Sequence, residues 1–180
     1  MFNEMLSSMI SGLLIALPFL ACVLLIVAAF TDLTRRLIPN WISVCLFLMF
    51  SLFAISGEHK PEIWQNYMWA AGVFIGLLPL FALKKIGGGD VKLLTMTMLW
   101  IGPVWGVEFL VLTTLIGGVM ALIVISPRAR LLWEWGNAKF GSSQLIDFYP
   151  EAQSLPYGVA IAAAGIFVIN DIYFGHLVGL

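Results

Sequence analysis

The sequence predicts an all-α, polytopic membrane bundle of about six transmembrane helices with both termini outside. Three observations lead there. Of the 180 residues, 61% are hydrophobic and 11% charged, with a mean hydropathy of +1.01, whereas an ordinary soluble domain is roughly a quarter charged. The apolar residues fall into windows approaching the roughly 17 to 25 residues a helix needs to cross a bilayer. Eight of the nine Lys and Arg residues collect in three connecting stretches, the kind of asymmetry that sets topology.

The windows lie near residues 10–31, 41–56, 67–83, 91–106, 107–125 and 157–177. The first resembles a secretory signal only superficially. Residues 1–8 contain Glu4 and no Lys or Arg, and the run from Met9 to Phe30 is long enough to span, so it reads as a retained helix. The fourth and fifth are divided only by Gly102-Pro103 and by Gly106 with Glu108. A single tilted span there would give five helices. Charge decides between the counts: Arg35 and Arg36, then Lys84, Lys85 and Lys92, then Arg128, Arg130 and Lys139 share one side when the spans number six, leaving only Lys60 opposite. That side is then cytoplasmic. The polar stretch 126–156, with Trp133 and Trp135 beside basic residues, suits an interfacial amphipathic segment or a solvated loop equally. The chain reads as one domain over 1–180.

Composition excludes several classes of function. With no basic tract and so little solvated surface, nucleic-acid binding is not expected. Cys22 and Cys45 sit inside apolar windows without CxxC spacing or nearby His, which makes them packing residues rather than a disulfide or a metal site.

Two carboxylates stand at the cytoplasmic ends of predicted helices. Asp32 closes the first, in Phe30-Thr31-Asp32-Leu33-Thr34-Arg35-Arg36-Leu37-Ile38-Pro39-Asn40. Taken alone, it is explained by pairing with Arg35 or Arg36. Pro39 suits a turn or a helix start, and Asn40 can bond local backbone in the same turn. Asp90 is harder to explain structurally. It follows Gly87, Gly88 and Gly89 and precedes Val91 and Lys92. Glycine costs a helix about 1 kcal/mol relative to alanine, but it permits positive φ and close backbone approach, and irregular backbone at membrane depth is tolerated where protein or water covers it. An ionisable group there is a functional candidate by default.

Two aspartates at one depth on different helices suit an acid pair. Close carboxylates cannot both ionise cheaply, so one keeps a proton. The charged one takes a proton from an attacking water and the protonated one donates to the scissile carbonyl. Which is the base is undetermined, because such a pair titrates as a unit. This chemistry requires no metal or other cofactor.

Asp32 with Arg35 and Ile38-Pro39-Asn40, then Gly87-Gly88-Gly89-Asp90-Val91-Lys92, then Leu155-Pro156-Tyr157-Gly158-Val159-Ala160-Ile161 resemble the three signature blocks of type IV prepilin peptidases, which are GxGD intramembrane aspartyl proteases. The resemblance runs through nearly the whole chain in order and spacing. It implies that Asp32 and Asp90 are the catalytic pair. The substrate it implies is a prepilin, with a short basic leader, a cleavage site and a hydrophobic helix lying in the lipid bilayer. Pro156 can start the last helix, while Tyr157 and Gly158 are candidates to line the site. Longer members of the family carry an N-terminal portion with paired cysteines and also methylate the new N-terminus. Only about eight residues precede the first window and no cysteine pair is present, so methyl transfer is not expected. The short form resembles the peptidase-only subgroup serving Flp-type pili, with archaeal preflagellin peptidases as near relatives. The rival class is a small proton-coupled transporter or a pilus-assembly membrane subunit. Transporter sites lie near the midplane, however, and these carboxylates share one face.

Overall fold

A computed structural model describes residues 2–56, 60–126 and 155–178. They form helices α1 (Phe2–Arg35), α2 (Asn40–Ser56), α3 (Lys60–Ala82), α4 (Gly88–Ile125) and α5 (Tyr157–Val178), with no strand among the described residues. The stretch around Trp133 and Trp135 lies outside the described residues, as do Arg128, Arg130 and Lys139. Among the described residues, Ala16–Arg35, Gly88–Ile123 and Tyr157–Gly175 are long and apolar enough to cross a membrane, and Asn40–Ser56 is a shorter apolar helix. Large apolar side chains such as Phe30, Leu48, Ile55, Met68, Val104 and Leu122 stay exposed on several helices, as a bundle facing lipid rather than water requires.

Helix α4 is not one rod. A straight helix of its 38 residues would be roughly 57 Å long at about 1.5 Å per residue. Instead Gly106 lies against Met98, whose Sδ is 2.9 Å from where a Cβ would sit. Asp90 and Leu94 line the same cavity as Leu110 and Thr114. The chain therefore folds back at Gly102, and residues 88–101 run beside 103–125. Gly102 adopts φ 73°, ψ −172°, a conformation essentially closed to residues with a Cβ. Pro103 then opens the second limb, where its missing N–H costs nothing. The expected division at residues 106 and 107 is corrected by this turn. Gly106 instead serves as a contact point inside the second limb.

The turn has to be satisfied by protein. Residues 88–101 rise only about 21 Å, against a hydrocarbon core of roughly 30 Å, so carbonyls freed at the turn are not assured of water. Asn66 Nδ2 donates to the Leu99 carbonyl at 3.0 Å, and the Tyr173 hydroxyl donates to the Trp100 carbonyl at 2.9 Å. Trp100 is itself fully buried, with its indole N–H on the Leu46 carbonyl at 3.0 Å. Phe50, Phe53 and Tyr173 pack around it. This aromatic knot fastens α2, α3, α4 and α5 at the end of the bundle remote from Asp32 and Asp90.

The opposite end is held by small residues. On α5, Ala160, Ala162 and Ala164 are buried, and Gly165 comes so close to Thr97 of α4 and Leu25 of α1 that a Cβ would sit 2.6 Å from one and 3.1 Å from the other. Small residues allow helices to approach within a bilayer. As a result, α5 packs on both α1 and α4 and brings its N-terminus to the end of α1.

Candidate active site

Asp32 sits in the last full turn of α1 and is 6% exposed. A buried carboxylate needs partners, and its Oδ2 accepts the backbone N–H of Gly158 at 2.8 Å. That donor is available because Gly158 is the second residue of α5, where amides have no partner within their own helix. Gly158 must be glycine for this approach: a Cβ there would lie 2.8 Å from Asp32 Oδ2 and 2.9 Å from Ile38 Cδ1.

Asp90 arrives differently. Gly87 is the extended N-cap of α4 and Gly88 and Gly89 are its first two helical residues. Asp90 therefore occupies the third position, from which an acidic side chain reaches back over the cap residue. Its Oδ2 lies 2.9 Å from where a Gly87 Cβ would be. Of the two things glycine permits, positive φ is not used by these three, since Gly102 is the one glycine with positive φ among the described residues. Close approach is what they provide. A Cβ on Gly88 would meet the Phe81 ring at 3.1 Å, and one on Gly89 would meet Ile38 Cβ at 3.1 Å.

The two aspartates share a cavity of about 420 Å³, whose wall also takes in Arg36, Asn40, Gly87–Gly89 and Lys92. Lys92 Nζ donates to Asn40 Oδ1 at 2.9 Å, joining the start of α4 to the start of α2. Pro39 stands outside this wall; its carbonyl accepts the Ile42 amide at 3.2 Å and so starts α2. Pro156 plays the same part for α5, accepting the Val159 amide at 3.2 Å. Tyr157 turns away from Asp32 into a second, larger cavity of about 780 Å³ and packs on Gly117. Asp90, Gly87 and Gly88 line both cavities, so Asp90 stands at their junction. Among the described residues no three His, Cys, Asp or Glu side chains are grouped so as to hold a metal ion.

A family model described as the type IV leader peptidase family matches residues 19–122. The chain belongs to that family. It is accordingly a membrane peptidase by family, with both aspartates inside the matched stretch. The Gly158 block falls outside it, and its connection to Asp32 is a finding of the structure. No curated relative and no solved structure matches the chain.

Some residues around the two aspartates were not proposed as site residues from the sequence. Ile38 is buried and touches both Gly89 and Gly158. Its membership in the Ile38-Pro39-Asn40 triplet was the available signal. Arg36 and Lys84 line the smaller and the larger cavity respectively, each with φ near +55° (53° and 55°). That conformation at a helix end is usually glycine's, and nothing in the neighbouring sequence announces it.

Proposed function

We propose that the protein is an intramembrane aspartyl endopeptidase that removes the leader from type IV, Flp-like prepilins at the cytoplasmic face of the bacterial inner membrane. What supports the reading is the meeting of Asp32 and Asp90, from α1 and α4, in one cavity beside a glycine-rich strip. One carboxylate is charged and the other protonated. The charged one takes a proton from a water, whose oxygen bonds to the scissile carbonyl carbon while the other carboxyl gives its proton to the carbonyl oxygen. Collapse of the tetrahedral intermediate breaks the C–N bond, with a proton passing to the departing amine. The Gly158 amide keeps Asp32 in place through this sequence.

The six-span topology with both termini outside belongs to the same proposal. It is supported by the reversal at Gly102, which makes two limbs of α4. The lining of the two site cavities by Arg36, Lys84, Lys85 and Lys92 supports it as well, since basic residues favour the cytoplasmic side. Co-expression with a candidate Flp-type prepilin tests the reading. The wild type is expected to shift the prepilin to its shorter form on a gel, and Asp32→Asn and Asp90→Asn to lower the rate at least about a thousandfold while still inserting. A fully active Asp90→Asn enzyme would sink the mechanism.

A further inference from the structure

All six threonines of the chain lie in helices, and five of them spend their hydroxyl on a carbonyl one turn back. Thr31 donates to Ala28, Thr34 to Phe30, Thr95 to Val91, Thr97 to Leu93 and Thr114 to Leu110. Thr113 does not. It is 1% exposed, and its Oγ1 is buried with no hydrogen-bond partner. A helical threonine has the back-bond within reach, so leaving the hydroxyl unpaired goes against the desolvation cost of a buried polar group.

Its position gives the hydroxyl a use. Thr113 is one of the residues around the 780 Å³ cavity, which reaches Asp90 and where Leu77, Leu80, Phe81, Leu94 and Leu110 make an apolar wall beside Lys84, Lys85, Thr114 and Tyr157. Ser43, the other buried hydroxyl without a partner among the described residues, lines neither cavity that contains Asp90. An apolar segment fits such walls. A peptide bond open to attack, however, cannot lie inside a helix, so the residues beside it bring backbone N–H and C=O groups that need partners away from water. Rotation about χ1 moves a threonine between staggered states and carries its hydroxyl to another side of the residue, so Oγ1 can turn toward an occupant.

We propose that the larger cavity holds the apolar segment on one side of the scissile bond, and that the Thr113 hydroxyl hydrogen-bonds an unpaired backbone group of that segment. Thr113 is then a substrate-binding residue. The inference rests on the endopeptidase reading above and adds to it where the apolar side of the substrate lies and which hydroxyl holds it.

The test uses the purified enzyme with the same Flp-type prepilin. Thr113→Val replaces the hydroxyl by a methyl at nearly constant volume, and it is expected to raise KM about tenfold with thermal stability equal to or above wild type. Thr113→Ser is expected to stay within about threefold of wild type, since it keeps the hydroxyl. In the Asp32→Asn background, a photo-cross-linking residue in place of Leu80 is expected to capture the apolar segment of uncleaved prepilin. An unchanged KM in Thr113→Val, an equal loss in Thr113→Ser, or capture of the leader alone would each overturn the inference while cleavage by the wild type left the peptidase reading standing. A wild-type enzyme that does not cleave, or an Asp90→Asn enzyme that does, defeats both.

Discussion

Asp32 and Asp90 enter one cavity by different physical means. Asp32 is deeply buried at the end of a long helix, and its Oδ2 is taken by an amide from the far end of the chain. Asp90 stands in the first turn of α4 on three glycines and folds back over its own cap residue. The first position depends on tertiary packing, because α5 must be seated for Gly158 to reach. The second depends on local helix geometry and on how closely the glycine strip can approach α3 and the loop before α2. Ile38 connects the two, touching Gly158 on one side and Gly89 on the other. Its side chain therefore acts as the spacer between the glycine that precedes Asp90 and the glycine that holds Asp32.

Breaking the tertiary half should have the largest effect. In Gly158→Leu the new Cβ would sit 2.8 Å from Asp32 Oδ2 and 2.9 Å from Ile38 Cδ1, so α5 must shift and the amide donor goes with it. A misplacement of that order costs about 100-fold in rate. Prepilin cleavage should fall by that much in kcat/KM while the protein still inserts. An unaltered rate would remove Gly158 from the site.

The spacer itself can be tested by a cycle of substitutions. Gly89→Ala brings a Cβ to 3.1 Å from Ile38 Cβ, and a β-branched side chain yields little at that atom. Activity should fall about tenfold, although alanine stabilises the helix by up to about 1 kcal/mol relative to glycine. Adding Ile38→Val removes the Cδ1 methyl but keeps the Cβ branch, and should restore little. Adding Ile38→Ala keeps the Cβ at the point of contact and should recover only part of the loss, whereas Ile38→Gly removes that atom and should recover most of it. Strict additivity of Gly89→Ala and Ile38→Gly would show that the two positions do not communicate.

The fold class was legible because hydropathy reports the solvent, and the chain's solvent is lipid. Asp90 was legible as a candidate because a carboxylate beside three glycines has few uses, and Asp32, which pairing with Arg35 or Arg36 explains when taken alone, became one as the partner of Asp90. The position of the reversal in α4 was not. Gly102-Pro103 and Gly106 carry similar local signals, and the choice is made by Asn66 and Tyr173, which supply hydrogen bonds from two other helices. Gly158 likewise looks like any helix-start glycine until α5 is docked on α1. Nothing in sequence separates Thr113 from Thr114, because what distinguishes them is which one finds a carbonyl and which one faces a neighbour.

The smallest effect should come from Gly87→Ala, and its smallness sharpens the contrast. Gly87 has φ −72° and ψ 145°, a conformation any residue adopts, so alanine brings no backbone strain. Its Cβ would meet Asp90 alone, with Oδ2 at 2.9 Å, and a carboxylate can swing away by rotating about its own side-chain bonds. No helix has to move. Activity should fall by no more than about threefold, measured as prepilin cleavage beside Gly158→Leu. A loss in Gly87→Ala as large as in Gly158→Leu would mean that Asp90 is held as rigidly as Asp32. The approach of the Gly87 peptide to the carboxylate would then be a fixed contact of the site, rather than a helix cap that Asp90 can leave.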